Sequence, residues 1–310
     1  MNPNYTSISK EKRIKRHRRR HIRKMISKTL LLACMILVIC AEGFLVCGVR
    51  INGDPPIVRE YVLDEEKILS PVRIIMLSDL HGCEHGKENS DLISIVKAEE
   101  PDLILLCGDM INHQHETGED ILITADAVSK LASIAPVYYS LGNHEIDRVD
   151  HYDRDAVDRI VEAGAILLER EYVDLEIRGN RIRLGGLYTP NGAETRKPDA
   201  NTCTAFLSEL CQTDSYIILM EHRPASFTDA IYPAGFEPEL VLAGHLHGGH
   251  VILPILGPVW GANSGLFPKY AIGSFDFGNS TLIVSSGLST ERHIIPRVNN
   301  PTEITKIILE

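Results

Sequence analysis

Five apolar runs along this chain each end in a polar cluster. Ile74–Leu77 leads into Asp79-Leu80-His81, and Leu103–Cys107 into Gly108-Asp109. Val137–Tyr139 leads into Gly142-Asn143-His144-Glu145, Ile217–Met220 into Glu221-His222, and Leu240–Leu242 into Gly244-His245-Leu246-His247. Short continuous apolar runs with turn residues behind them predict strands buried on both faces. Between them, spaced apolar residues predict helices: one capped by Asn89-Ser90-Asp91 and ended by Pro101, one over Asp120–Ser133, one surface helix over Asp147–Ala163 ending at Gly164, and one over Asn201–Cys211. Strand–helix–strand alternation predicts a sheet whose first strands are parallel. Ile57–Leu63 reads as an edge strand, Tyr172–Ile177 and Arg181–Leu187 as a hairpin turning at Gly179-Asn180, and Thr281–Ser285 and Glu303–Leu309 as closing strands.

The beginning of the chain has a different texture. Residues 1–28 hold eleven Lys or Arg and one acid, and Thr29–Val49 is apolar apart from Glu42. That stretch is close to the ~20 residues that cross a bilayer as a helix. Its basic flank gives the positive-inside pattern, with the N-terminus cytoplasmic. A cleavable signal peptide competes with this reading, but no small-x-small cleavage site follows the apolar core. The expected organisation is a basic cytoplasmic tail over 1–28, a transmembrane signal anchor over 29–49, a breaker Asn52-Gly53-Asp54-Pro55-Pro56 within a linker over 50–56, and one domain over 57–310.

Charge narrows the partners. The net charge of −10 over 310 residues hides an acidic body, because the residues after 28 hold 21 basic and 41 acidic side chains. A nucleic-acid partner is not expected of such a body. The seven cysteines show neither zinc spacing nor a disulfide framework.

A single Asp after a strand is usually a cap or turn residue, and a single His usually packs. Five such clusters in strand-end context carry more weight, because ligands of open α/β sheets sit beyond the carboxyl ends of the strands. Their Asp, His and Asn donors, with no thiolate, suit Mn, Fe or Zn. His113 and His115 read as solvated loop residues, and His151 as part of a solvated helix face. Trp260, Phe267, Lys269 and Tyr270 follow in a Gly- and Pro-rich stretch. That stretch is either a loop packed on its own aromatics or a wall for the organic part of a substrate.

The order Asp-x-His, Gly-Asp, Gly-Asn-His-Glu, His and Gly-His-x-His resembles the calcineurin-like metallophosphoesterases. Gly248-Gly249 and the closing Ser286-Gly287-Leu288, Arg297 and Pro301-Thr302-Glu303-Ile304 resemble its membrane-associated bacterial branch, the YkuE and YaeI group. The resemblance covers residues 72–310. It implies an α/β fold, a four-layer α/β/β/α sandwich with two mixed sheets; the Thr29–Val49 segment would precede it as one N-terminal transmembrane helix. It also implies two divalent metal ions. Asp79, His81 and His247 would hold the first, Asn143, His222 and His245 the second, with Asp109 bridging. His144 would act on the leaving group as the catalytic acid and would not be a ligand. Asn112 stands where many relatives have an Asp that orients that histidine, and His250 where relatives often have Gln.

The expected function is a membrane-anchored, dinuclear metal-dependent phosphoesterase. It would hydrolyse a phosphodiester, pyrophosphate or phosphomonoester, with a lipid-linked one in view, by metal-activated hydroxide outside the cytoplasm. A non-catalytic metal-binding scaffold on the same fold and a protein phosphatase are the alternatives.

Overall fold

The computed structural model describes residues 22–35, 54–112, 118–188, 200–261, 264–290 and 296–310. The chain divides into two units, Met1–Val49 and Arg50–Glu310. In the first, the described residues 22–35 are helical (α1) and exposed. Most of the expected span, from residue 36 on, lies outside the described residues, as do residues 1–21, His113 and His115. Among the described residues no helix is long and apolar enough to cross a membrane.

The second unit runs β1 (Ile57–Leu63), β2 (Val72–Leu77), α2 (Ser90–Ala98), β3 (Leu103–Cys107), α3 (Glu119–Ala132), β4 (Val137–Ser140), α4 (Asn143–His151), α5 (Ala156–Glu162), β5 (Ala165–Leu167), β6 (Glu171–Ile177) and β7 (Asn180–Leu187). It continues with α6 (Ala200–Leu210), β8 (Tyr216–Glu221), β9 (Leu240–Ala243), the short ribbon strands β10 (Ile252–Leu253), β11 (Gly257–Pro258), β12 (Trp260–Gly261) and β13 (Gly265–Leu266), and then β14 (Gly273–Asp276), β15 (Thr281–Val284) and β16 (Glu303–Leu309). One six-stranded sheet has the order β1-β16-β2-β3-β4-β5, the other β14-β15-β9-β8-β7-β6. Both are mixed: β2, β3, β4 and β5 run parallel with β16 antiparallel to β2, and β7, β8, β9 and β15 run parallel with antiparallel β6 and β14 at the edges.

Alternation along the strands explains the layering. In β2, Ile75 and Leu77 join Leu92, Val96, Val128 and Leu131 of α2 and α3 on one side. Val72, Ile74 and Met76 turn the other way and meet Ile182, Ile218, Leu240 and Leu242 of the second sheet. The far face of that sheet, through Leu219 and Val241, packs on Phe206, Leu207 and Leu210 of α6 and on Phe227 and Ile231. Three apolar layers between four layers of elements give the α/β/β/α sandwich, and buried parallel strands need apolar residues on both faces.

Two local expectations are corrected. The stretch read as one helix over Asp147–Ala163 is two: α4 begins earlier, at Asn143 inside the polar cluster, and the chain breaks at Tyr152–Asp155 before α5. The hairpin turns at Arg178-Gly179, since Ile177 pairs with Asn180. Both turn residues have positive φ, 50° and 81°, as a two-residue primed turn requires. Asn180 is a strand residue whose side-chain oxygen accepts the Leu69 N–H at 2.6 Å. His151 is half exposed and pairs with Asp147, as a solvated face predicts.

Candidate metal centre

All five polar clusters stand at the carboxyl ends of β2, β3, β4, β8 and β9. The chain must leave each strand sharply there. Asp79, His81, Asp109, His245 and His247 have φ between 47° and 73°, a left-handed backbone that is costly for residues other than glycine and concentrates at functional sites. Gly142 lets the clusters close up: a Cβ on it would lie 2.2 Å from Asp109 Oδ1 and 2.4 Å from its nitrogen. Gly244 plays the same part against Asp79, where a Cβ would lie 2.3 Å from Oδ2.

The expected residues converge. Asp79, His81 and His247 offer ligand atoms within 4.8 Å of one another, and so do Asp109, His222 and His245. A third grouping of His81, Asp109 and His144 overlaps both. His222 Nε2 lies 3.0 Å from Asp109 Oδ2 and 3.9 Å from Asp79 Oδ1. His247 Nε2 lies 3.6 Å from Asp79 Oδ1. Asn143, first residue of α4, keeps its Oδ1 buried with no hydrogen-bond partner among the described residues. A buried acceptor without a donor is costly unless something electropositive completes it. With the all-oxygen-and-nitrogen donor set, that orphaned atom fits divalent cations.

The remaining hydrogen bonds aim the donors. His222 Nδ1 is 2.8 Å from the Cys107 carbonyl oxygen. A carbonyl only accepts, so Nδ1 carries the proton and Nε2 faces the carboxylates. His81 Nδ1 is 2.9 Å from Asn112 Oδ1, and Asn112 Nδ2 donates to the His81 carbonyl at 3.0 Å. Asn112, which stands where the resemblance expects a residue that orients His144, is thus bonded to His81 through both ends of its amide. Asn112 is itself held, its N–H donating to Asp120 and its carbonyl accepting from Arg148. Groups of this kind typically change metal affinity 10–100-fold when removed, so Asn112→Ala should weaken metal binding by about that factor. Titration of the metal-free protein with Mn²⁺ checks it, and an unchanged affinity would show that His81 needs no such support.

Electrostatics point the same way. Burial disfavours the His222 cation, but Asp109 beside it, with Asp79 and the Cys107 carbonyl, outweighs this and raises its pKa to about 10. Burial pushes Asp109 up, yet His222 and His144 hold it well below the usual carboxylate range. Burial and the charge on His222 depress His245 to about 3, and burial raises Asp79 despite its histidine neighbours. Two buried carboxylates therefore recruit a positive charge, and in the metal-free protein a proton on His222 supplies it. Metal uptake must expel that proton. Apparent affinity should rise with pH from neutrality toward about 10, with proton release visible by calorimetry in buffers of different ionisation enthalpy. Uptake without proton release at pH 7 would contradict this.

The Calcineurin-like phosphoesterase family pattern matches residues 72–249, more than half of the chain. The chain belongs to this family. As a member of the calcineurin-like phosphoesterases it is a metal-dependent phosphoric ester hydrolase, and the family uses two divalent metal ions. A metallophosphoesterase of Campylobacter jejuni, Cj0846, is 28% identical over 75% of this chain and 58% of its own length, so this chain spans little more than half of that relative. Phosphodiesterase YaeI of Escherichia coli is 24% identical over 77% of this chain and 83% of its own. The metallophosphoesterase YkuE of Bacillus subtilis is 26% identical over 77% and 79%.

Two residues of this calcineurin-like centre carried no role in the sequence. Glu145 is fully buried, and its carboxylate accepts the backbone N–H groups of Asp109 at 2.8 Å, Met110 at 2.6 Å, Ile111 at 3.2 Å and Gly142 at 2.8 Å. The signal was present, since an acid three residues after the Gly142 N-cap is the acidic half of a capping box. Arg223, next to His222, is buried with its guanidinium 5.4 Å from the Tyr188 ring centroid, and its charge helps lower His245. An arginine in an apolar strand-end context gives no sequence signal of where it points.

Proposed function

We propose that the protein is a membrane-anchored, dinuclear phosphoesterase. It cleaves a phosphodiester, pyrophosphate or phosphomonoester at the outer side of the cell membrane, with a lipid-linked phosphoester as its substrate class. The N-terminus is cytoplasmic, the apolar Thr29–Val49 segment is a single-pass anchor, and residues 57–310 form the catalytic domain outside. The observation that carries the catalytic part is the overlap of three ligand groupings on shared Asp109 and His81. That overlap is what two adjacent ions with a common bridge need. In this reading Asp79, His81 and His247 would hold one ion, Asn143, His222 and His245 the other, and Asp109 would be shared by both. When bound, such a pair supplies an acidified water and neutralises the phosphoryl oxygens. The relative YaeI is a phosphodiesterase, which favours a diester.

The chain's own residues do the rest. His144 donates its backbone N–H to Asp109 Oδ1 at 2.8 Å, and its ring stands edge-on to His81 with centroids 4.4 Å apart. Its side chain is 21% exposed where those of Asp109 and His222 are 2% and 0%. An imidazole fixed at its backbone and open at its tip can reach the departing oxygen and give it a proton. Full-length protein loaded with Mn²⁺ should hydrolyse bis-p-nitrophenyl phosphate. His144→Ala should keep its metals and lose about 10²–10⁴-fold in kcat. Metal binding with no turnover of any diester, monoester, pyrophosphate or phosphopeptide would replace the enzyme with a scaffold.

A further inference from the structure

The two small ribbons beside the metal centre have an unusual surface. From Leu240 to Phe275 the chain contains no Asp or Glu, in a body that is strongly acidic elsewhere. Within that stretch Ile255 is fully exposed, Leu256 and Leu266 are about two-thirds exposed, and Phe267 and Trp260 are 55% and 39% exposed. Isolated exposed apolar residues such as Leu69 and Leu122 need no explanation, but five within the thirteen residues Ile255–Phe267 do. Tyr270 is different: its ring packs edge-on against Phe275 with centroids 5.0 Å apart. The aromatics of this stretch are therefore divided, with Tyr270 packed inward and Trp260 and Phe267 left outside.

The placement of Ile255 is the sharpest observation. It occupies the turn between β10 and β11 with φ 71°, a backbone that favours Gly or Asn and is a true outlier for a β-branched residue. A polar residue there would suit both the backbone and water. The sequence carries Ile-Leu at the tip of the ribbon against both preferences, which points to an apolar environment for that tip.

The ribbons are tied to each other and to the site. Val259 N–H donates to the Val251 carbonyl at 2.9 Å, and Phe267 N–H to the Val259 carbonyl at 2.8 Å. Gly249 seats against Pro258, where a Cβ would lie 2.6 Å from the proline Cβ. His250 stacks on the ligand-set residue His247 with ring centroids 5.6 Å apart and planes 6° from parallel.

We propose that the ribbons β10–β11 and β12–β13 form a wedge that inserts into a lipid bilayer surface, with Ile255, Leu256, Leu266 and Phe267 in the acyl boundary and Trp260 at headgroup level. An apolar tip, an amphipathic aromatic and the absence of acid are the features of a segment that lies in the interface. This rests on the anchored reading of the N-terminal segment. The seven residues 50–56 span at most about 25 Å, so an anchored domain stays at a membrane and has one to meet. The wedge fixes which surface of the catalytic domain meets the lipid and brings the mouth of the metal centre to headgroup height.

Trp260 is the chain's one tryptophan, so its fluorescence reports on the wedge alone. Full-length protein is reconstituted into phosphatidylcholine vesicles with and without bromine on the acyl chains. Trp260 emission should be lower in the brominated vesicles than in the unbrominated ones, as expected for an aromatic side chain held at the boundary between headgroups and acyl chains. The double substitution Ile255→Asp/Leu256→Asp should abolish that loss and shift emission to the red, with turnover of soluble bis-p-nitrophenyl phosphate unchanged. Wild-type emission indifferent to bromination, or quenching that survives the double substitution, overturns the proposal. So does emission that follows protein density in the vesicle rather than bromination, which would place a second copy on the patch. Quenching that appears only when a lipid-linked phosphoester is added overturns it too, because the patch would then hold a substrate tail. Vesicle flotation tests the anchor and soluble turnover tests the catalytic reading, so failure of either is distinguishable from failure of the wedge.

Discussion

Asp109→Asn is expected to lower phosphoester turnover by at least about a thousandfold and to leave the chain binding fewer than two metal ions. The substitution is nearly isosteric. The asparagine side chain would keep an oxygen for the His144 N–H that now donates to Oδ1 at 2.8 Å, so the start of α4 should survive. What goes is charge. Asp109 is the one carboxylate shared by two of the ligand groupings, with His81 and His144 on one side and His222 and His245 on the other. Its loss also removes the main partner that raises His222. A neutral amide cannot bridge two cations, and its NH₂ can only donate toward His222 Nε2, now 3.0 Å from Oδ2. Metal content by elemental analysis beside turnover of a diester checks this. Two metals per chain with a tenth or more of wild-type turnover would remove Asp109 from the bridging position.

Glu145→Gln should cost about 2–4 kcal/mol of stability, the largest effect expected for a residue that touches neither metal nor substrate. Each carboxylate oxygen accepts two backbone N–H groups, Oε1 those of Met110 and Ile111 and Oε2 those of Asp109 and Gly142. A glutamine must turn its NH₂ toward one of these pairs, setting donor against donor in a site with no solvent exposure. These four amides belong to the loops after β3 and β4, so the carboxylate ties together the two segments that carry Asp109, Asn143 and His144. Chemical denaturation of the metal-free variant reads the stability loss. A midpoint within a few tenths of molar of wild type would show that the loops hold themselves without Glu145. Because metal binding selects the native state, the deficit should shrink when Mn²⁺ is added.

The apolar runs of this chain located β2, β3, β4, β8 and β9 to within two residues, because a strand buried on both faces has no polar position to confuse the pattern, whereas β5, β14 and the short ribbon strands, with little or no continuous apolar run, went unread. The five polar clusters likewise marked the site, since the carboxyl ends of parallel strands in these sheets collect at one edge. Other features depended on partners remote in sequence. The extent of α4 was missed because Asn143 and His144 read as strand-end ligands, while in the fold they are also the first turn of a helix. The part played by Asn112 against His81 was settled by the 31-residue separation the fold closes, with Asp120 and Arg148 holding the Asn112 backbone from two further elements. Glu145 needed the same closure to find its four donors. Which residues take part and where the strands run could be read from neighbours along the chain, because burial patterns and turn chemistry are local. Which donor faces which acceptor, and that Ile255 and Leu256 stand out in solvent, emerged only with the folded chain, because both follow from how distant loops pack at one edge of the sheets.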